Sequence, residues 1–337
     1  MNFVGIDLHK KTISVCVVDQ NRQVLDRERF CCADVKGIQA FFEPLDPFQA
    51  VIEATAGYEW LFRLLEPLAE EVVLAHPQKL RIIAESTRKS DKLDAQVLAE
   101  FLALDMIPEA YRPTPRERAH RRLVRQRVHL QKRIKAVRCK IRAILTDYNA
   151  DRKDLFTIDG LKYLGQAKVS EQDRFVVDQL TSEWQFYVDQ CGVLEKRLRE
   201  FAKLAKAKEA EARAVLDSIP GVGPVTAEVV ISELGLLTRF RSQKRVCAYA
   251  GLVPGQRESA GRRRDLGITK QGSPLLRWAL TEAAWRLVRR SRYWQTVFEA
   301  LAKRRGRKRA IIAVARRLLC VMVSMLQSGR RYQAARV

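Results

Sequence analysis

With 337 residues, 47% of them apolar, the chain is long enough for about two packed domains and too apolar to be disordered throughout. Its 62 Lys and Arg stand against 39 Asp and Glu, a formal charge of +23 that points to a polyanionic partner, nucleic acid first. The most apolar run, "AIIAVARRLLCVMVSML", is broken by Arg316 and Arg317, so neither a membrane span nor a secretory signal is expected, and seven cysteines without CxxC spacing argue for reduced cytosolic thiols rather than a zinc site or disulfide frame.

Three strand-like runs come first, over 2–8, 12–19 and 22–31, joined by the short polar links "HKK" and "QN" that suit antiparallel hairpins. A helical run near 35–43 follows, then a strand in "QAVIEAT", a helix from Tyr58 to Ala69 and a strand "EVVLAH". "DKLDAQVLAEFLALD" then has helical periodicity, with Leu93, Val97, Leu98, Phe101 and Leu102 on one side. Three antiparallel strands followed by alternating helix and strand is the order of the α/β ribonuclease H-like fold, an architectural analogy at this point.

Within that order the carboxylates stand out. Asp7 closes the first strand and Glu53 the fourth, and in that fold those strands are neighbours at the sheet centre, so both side chains are expected at one edge. Asp91 and Asp94, at i and i+3, share a helix face. Four converging carboxylates repel one another unless a cation lies among them. A hard oxygen set of that size suits Mg²⁺ or Mn²⁺, which can polarise a phosphodiester.

"RPTP" at 112–115 punctuates the chain. From Arg112 to Arg142 thirteen basic residues face one acidic residue, Glu117, while Leu123, Val128, Leu130, Ile134, Val137, Ile141 and Leu145 form an apolar stripe. A second amphipathic segment runs from about Phe175 to Leu216. Together they predict an antiparallel coiled-coil hairpin or an oligomerisation arm, with two ordinary bundle helices as the alternative. Like charges this dense destabilise an isolated helix, so the basic face, Arg121, Arg122 and Arg125 included, is expected to lie against phosphate.

Residues 217–337 read as a third, mostly helical unit, giving divisions of 1–110, 111–216 and 217–337. "LDSIPGVGPVTAEVVISELG" fits a helix-hairpin-helix in which Gly221 and Gly223 let backbone N–H groups approach a phosphate; a tight helix–helix turn is the other reading. "YAGLVPGQRESAGRRRDLGITKQGSPLLRWAL" sets Ser259 in a loop crowded by Arg257, Arg262, Arg263 and Arg264, with Lys270 beyond. Guanidinium groups bind phosphate and offset developing charge, so the residues alone predict a phosphate-binding loop, with a serine nucleophile as the sharper reading. Ser273 is expected to N-cap a helix starting at Pro274.

The stretches "GIDLHKKTISVCVVD", "IEATAGYEW" and "KSDKLDAQVLAEFL", followed by "IPGVGPVTAEVVISELG" and "FRSQKRVCAYAGLVPGQRESAGRRRDLGITKQGSPLLRWALTEAAW", resemble the IS one-ten insertion-sequence transposases, which include the Piv-type DNA invertases. The resemblance spans nearly the whole chain. It implies a DEDD, RuvC-like N-terminal domain in which Asp7, Glu53, Asp91 and Asp94 bind Mg²⁺ (or Mn²⁺). It further implies a C-terminal transposase domain in which Ser259 becomes covalently joined to DNA. Where the family has Ser-Ser-Gly, this chain has Ser259-Ala260-Gly261. Also implied are a structured noncoding guide RNA beside the DNA and a homo-oligomer, dimer to tetramer, with composite active sites, acting in the cytosol. A metal-dependent hydrolytic junction nuclease, with water as nucleophile, is the alternative for the same carboxylates.

Overall fold

Short runs rich in β-branched and other apolar residues build the first sheet, and its central strands are buried on both faces. The computed structural model describes residues 1–45, 47–83, 91–259 and 262–333, with side chains at 81–83, 91–93, 256–259 and 262–265 outside that description. The chain divides into two compact units, Met1–Arg112 and Pro113–Val337, so the expected boundary at 216 falls inside the second.

In the first unit β1 (Asn2–Leu8), β2 (Thr12–Val18) and β3 (Val24–Cys31) form an antiparallel meander. After α1 (Val35–Phe42), β4 (Phe48–Glu53) pairs parallel to β1; after α2 (Tyr58–Leu65), β5 (Glu71–Ala75) pairs parallel to β4. The sheet order is β3-β2-β1-β4-β5. Two further helices follow, α3 (Pro77–Ile83) and α4 (Asp91–Ala103). The helix expected to reach Ala69 stops at Leu65, two residues before Pro67, which has no amide N–H to donate. α3 was not expected; at seven residues it is too short for a period to show.

The two faces of the sheet are covered differently. Val4, Ile6, Ile13, Val15, Val17, Phe48, Ala50 and Ile52 pack on Ile38 and Phe42 of α1 and Leu61 and Leu65 of α2. On the opposite face α4 lies close over β1: a Cβ at Gly5 would come within 2.0 Å of the Ala95 carbonyl oxygen and 2.4 Å of the Ala99 nitrogen. This close approach selects the buried stripe of α4. Ala95, Leu98, Ala99 and Leu102 face the sheet, whereas the expected Val97 and Phe101 are only half-buried and the Leu93 side chain lies outside the described residues. Small side chains win there because larger ones would lift the helix off Gly5.

Near the start of the second unit the Thr114 side chain closes a capping box with Glu117 and opens α5 (Pro115–Asp147). α6 (Ile158–Gln166) leads to α7 (Glu171–Lys203), which returns antiparallel to α5. The direction is fixed by contacts pairing Arg127 with Glu195, Gln131 with Cys191 and Arg133 with Glu183. The seam packs Leu130, Ile134, Val137, Ile141 and Leu145 against Val177, Trp184 and Cys191, as the sequence stripe predicts for that half of the helix. Nearer the start of α5 the buried apolar residue is Val124, not Leu123 or Val128. It packs there against Val229 and Ala279, and the change of partner turns the buried face.

α8 (Ala207–Asp217) and α9 (Pro224–Leu234) flank the Gly-rich turn, and α10 (Gln243–Tyr249) precedes a two-stranded ribbon, β6 (Pro254–Ser259) and β7 (Arg262–Ile268). Three helices close the unit: α11 (Pro274–Arg290), α12 (Arg292–Arg305) and α13 (Arg307–Ser328). Ser273 caps α11 by accepting the Leu276 amide at 3.2 Å, as expected. By length and composition α13 is apolar enough to cross a membrane, yet half of that stretch is buried inside the unit, where Val314, Leu318, Leu319 and Met322 belong to its core.

Candidate active site

The first sheet brings two of the four expected carboxylates side by side. β1 and β4 pair in parallel as far as Ile6 opposite Ile52, so the next residues in register are Asp7 and Glu53. The pleat puts both on the side of Gly5 and Val51, the side that α4 covers. Gly5 meets Ala95 and Ala99, and Phe3 packs with the group that includes Ala99 and Ala103. α4 therefore runs against β1, with its first turn, Asp91 and Asp94, toward the carboxyl ends of β1 and β4. Asp94 is exposed, and the Asp91 side chain lies outside the described residues.

Asp7 is only 8% exposed, and its Oδ2 lies 3.1 Å from Nε2 of His9. Across the sheet its antiparallel neighbour is Ser14, itself buried. Ser14 was missed from the sequence, although the run Ile13-Ser14-Val15 places a polar residue on the inward-facing phase of a strand covered on both faces. Among the described residues, no group of three or more His, Cys, Asp or Glu side chains is arranged to hold a metal ion.

The stretch around Ser259 is a β-hairpin where a loop was expected. Ser259 ends β6 opposite Arg262, Glu258 pairs with Arg263 and Arg257 with Arg264, while the connecting Ala260 and Gly261 lie outside the described residues. Cross-strand partners share a face and alternate residues return to it, so positions 257, 259, 262 and 264 lie on one face of the ribbon. Position 263 falls on the other, with Glu258. The side chains of Ser259 and these four arginines are outside the described residues. The strands escaped sequence reasoning because "GQRES" and "RRRD" are polar on both phases, leaving no apolar alternation. Lys270, exposed and with φ 56°, donates its amide to the Gly251 carbonyl at 3.2 Å and so helps close the ribbon's base.

Two of the other residues expected at phosphate, Arg121 and Arg125, are occupied within the second unit. Arg125 makes a two-pronged bond to Glu233, 2.8 and 3.0 Å, and Glu233 is 1% exposed. That bond holds the guanidinium above its ordinary range. Arg121 donates to the Ser232 carbonyl at 3.0 Å, at the end of α9. Arg122 is exposed and makes no ion pair among the described residues. Gly221 has φ 89°, and a Cβ there would stand 2.8 Å from the Arg286 Cβ, so its glycine is required by the approach of α11. A Cβ at Gly223, which precedes α9, meets nothing within 4 Å.

Beside these lies a largely enclosed ion network: Arg116 to Glu209, Glu209 to Arg213, Arg213 to Glu228, and Glu228 to His120, which stacks on Phe201. Burial pushes the Glu228 carboxyl up, but bonds from His120 and Arg213 outweigh it and hold it below the usual range; Arg116 and Arg213 do the same to Glu209. A cavity of about 740 Å³ opens next to the network, lined in part by His120, Glu209, Val230 and Leu326, and contains none of the expected catalytic residues.

Comparison with known proteins adds an independent line. A family model described as a transposase of the DEDD IS110 type matches residues 4–150, and one described as the IS116/IS110/IS902 transposase family matches residues 213–299. The chain is 27% identical over 345 residues to the transposase of insertion sequence element IS1111A from Coxiella burnetii, covering 99% of this chain and 92% of that one. It is 28% identical over 300 residues to the transposase of element IS1328 from Yersinia enterocolitica, covering 87% and 86%. It is also 24% identical over 344 residues to the pilin gene-inverting protein of Moraxella lacunata, covering 98% and 97%.

Proposed function

We propose a strand-exchange chemistry for a chain that is, by its two family-model matches and its curated relatives, a transposase of the IS116/IS110/IS902 family. Insertion-sequence transposases and a gene-inverting protein among the relatives support a transposase or recombinase role on DNA. The observation that carries the chemistry is the register of β1 and β4, which sets Asp7 beside Glu53 on the face where α4 begins.

In this reading the sheet, ordered β3-β2-β1-β4-β5, is a ribonuclease H-like scaffold, and Asp7, Glu53, Asp91 and Asp94 hold Mg²⁺ or Mn²⁺. The donor set fits such an ion: all carboxylate oxygens, one of them on a residue 8% exposed, where charge is costly without a counter-charge. The bound ion supplies polarisation of the scissile phosphate and stabilisation of the leaving oxygen.

Ser259 is the nucleophile. Its hydroxyl oxygen forms a bond to phosphorus as the bond from phosphorus to the departing sugar oxygen breaks, and the serine proton ends on that oxygen. The phosphodiester energy is kept in the serine–phosphate link. Rejoining repeats the exchange with the hydroxyl of a new strand, so no nucleotide cofactor is consumed. Arg257, Arg262 and Arg264, on the ribbon face of Ser259, favour its alkoxide and offset charge building on the phosphate. A structured guide RNA, assembly from dimer to tetramer and a cytosolic site of action belong to the same proposal; they rest on the resemblance of the motifs, and a charge of +23 suits DNA and RNA alike.

The test is a trapped adduct. Wild type and Ser259→Ala are incubated with element-end DNA and Mn²⁺, denatured, and analysed for protein joined to DNA. An adduct mapping to residue 259 in wild type alone is the expected result. Continued cutting by Ser259→Ala would replace the serine with water as nucleophile.

A further inference from the structure

Most arginines of α5 have partners inside the fold. Arg116, Arg125, Arg127, Arg133 and Arg142 pair with carboxylates, and Arg138 lies 4.7 Å from the ring centre of Phe156. The run 303–309, "KRRGRKR", is the opposite case. Its six cations, Lys303, Arg304, Arg305, Arg307, Lys308 and Arg309, are all exposed, and among the described residues none makes an ion pair. Arg307 lies 5.4 Å from the ring centre of Phe298.

The run also sits where its charge is only half compensated. Lys303, Arg304 and Arg305 occupy the last turn of α12, the negative end of a helix, where cations are favourable. Arg307, Lys308 and Arg309 occupy the first turn of α13, the positive end, where Asp or Glu is the stabilising choice. That turn has no acidic residue and no side-chain cap, because Gly306 stands at the N-cap. Gly306, with φ 79°, brings the two clusters together across a single residue. Six like charges gathered around an uncapped helix start raise the energy of the isolated protein unless an anion completes them.

We infer that the α12–α13 turn is a clamp for the phosphate backbone of duplex DNA, separate from the carboxylates and from the Ser259 ribbon. The inference rests on the DNA-acting reading above. Four of the six cations are arginines, whose planar fork matches phosphate oxygens in pairs. The run contains no apolar side chain to enter a lipid surface, and its contacts would carry no base information, as expected for a group that holds rather than selects.

The experiment measures the affinity of the full chain for a duplex of unrelated sequence and for a structured RNA, across 50–200 mM salt. Arg307→Gln/Lys308→Gln/Arg309→Gln is compared with wild type and with Lys168→Gln/Lys196→Gln/Lys203→Gln, which removes equal charge elsewhere. The first triple variant is expected to bind duplex at least tenfold more weakly, with a salt slope shallower by about 2–3, since each phosphate contact contributes about 0.9. Its melting temperature is expected to hold or rise, because three cations leave the positive end of a helix. Lys303→Gln/Arg304→Gln/Arg305→Gln provides the same reading should the first variant fold poorly. Unchanged affinity and slope, a loss equal to that of the control, or a loss confined to RNA would each overturn the clamp. A wild type that fails to bind duplex at 50 mM salt would instead overturn the DNA-acting reading itself.

Discussion

Asp7 was conspicuous in the sequence because a carboxylate closing an apolar strand needs a counter-charge. The fold adds what the one-dimensional pattern lacked: His9 at 3.1 Å, Ser14 across the ladder, and Glu53 next in register. Asp7→Asn removes the charge but not the volume, and is expected to leave the melting temperature within a few degrees while lowering strand cleavage at least a hundredfold; equal cleavage rates in Mn²⁺ would remove Asp7 from the mechanism. Gly5→Ala is expected to destabilise the first unit by about 3 kcal/mol or more, since the added methyl meets backbone at 2.0 Å and α4 must lift; a denaturant titration followed in the far ultraviolet measures it. Cys247, buried on α10, supplies a control that does not depend on DNA. Burial first, then the Cys320 thiol 3.5 Å away, pushes its thiol up to about 11. At pH 8 it should therefore alkylate far more slowly than the exposed Cys31 and Cys139, a difference that peptide mapping reads directly.

At the scale of elements, α5 shows what composition leaves out of a basic helix. Thirteen cations against one acid over 112–142 look like a nucleic-acid face, yet four of those on α5 are answered by acids from elsewhere in the second unit: Glu183 and Glu195 from α7, Glu209 from α8, Glu233 from α9. No local pattern records those pairings. The ion network at the start of α5 makes a pH prediction. Glu209 and Glu228 titrate lower in the folded chain than in the unfolded one, so their contribution to stability is complete above the ordinary carboxylate value, about 4.3, and is lost as pH falls through the folded values. The melting temperature is expected to be level from pH 7 to 5 and to drop below about pH 4, less steeply in Glu228→Gln. Arg213→Met, which takes a charged partner from both Glu209 and half-buried Glu228 and leaves Glu228 with His120, is expected to cost about 2 kcal/mol at pH 7. A destabilisation below 1 kcal/mol would mean that the network is ornamental.

For the whole molecule the governing number is the charge of +23. If about six phosphates are contacted, duplex affinity should fall roughly a thousandfold between 50 and 200 mM salt; a flat response would deny electrostatics its role in binding. What the sequence by itself determined was the order and kind of the elements in the first unit apart from the short α3, the two long amphipathic helices, and the resemblance to a transposase. Those readings depend on residues close along the chain, through the two-residue pleat and the helical turn, and local sterics decide them. Tertiary structure alone decided which cations are left to meet a partner, which stripe of α4 is buried, and that Ser259 lies on a ribbon sharing its face with three arginines. Each of those outcomes depends on which distant segment arrives as neighbour, and the free energy of that meeting is written in no single stretch of residues.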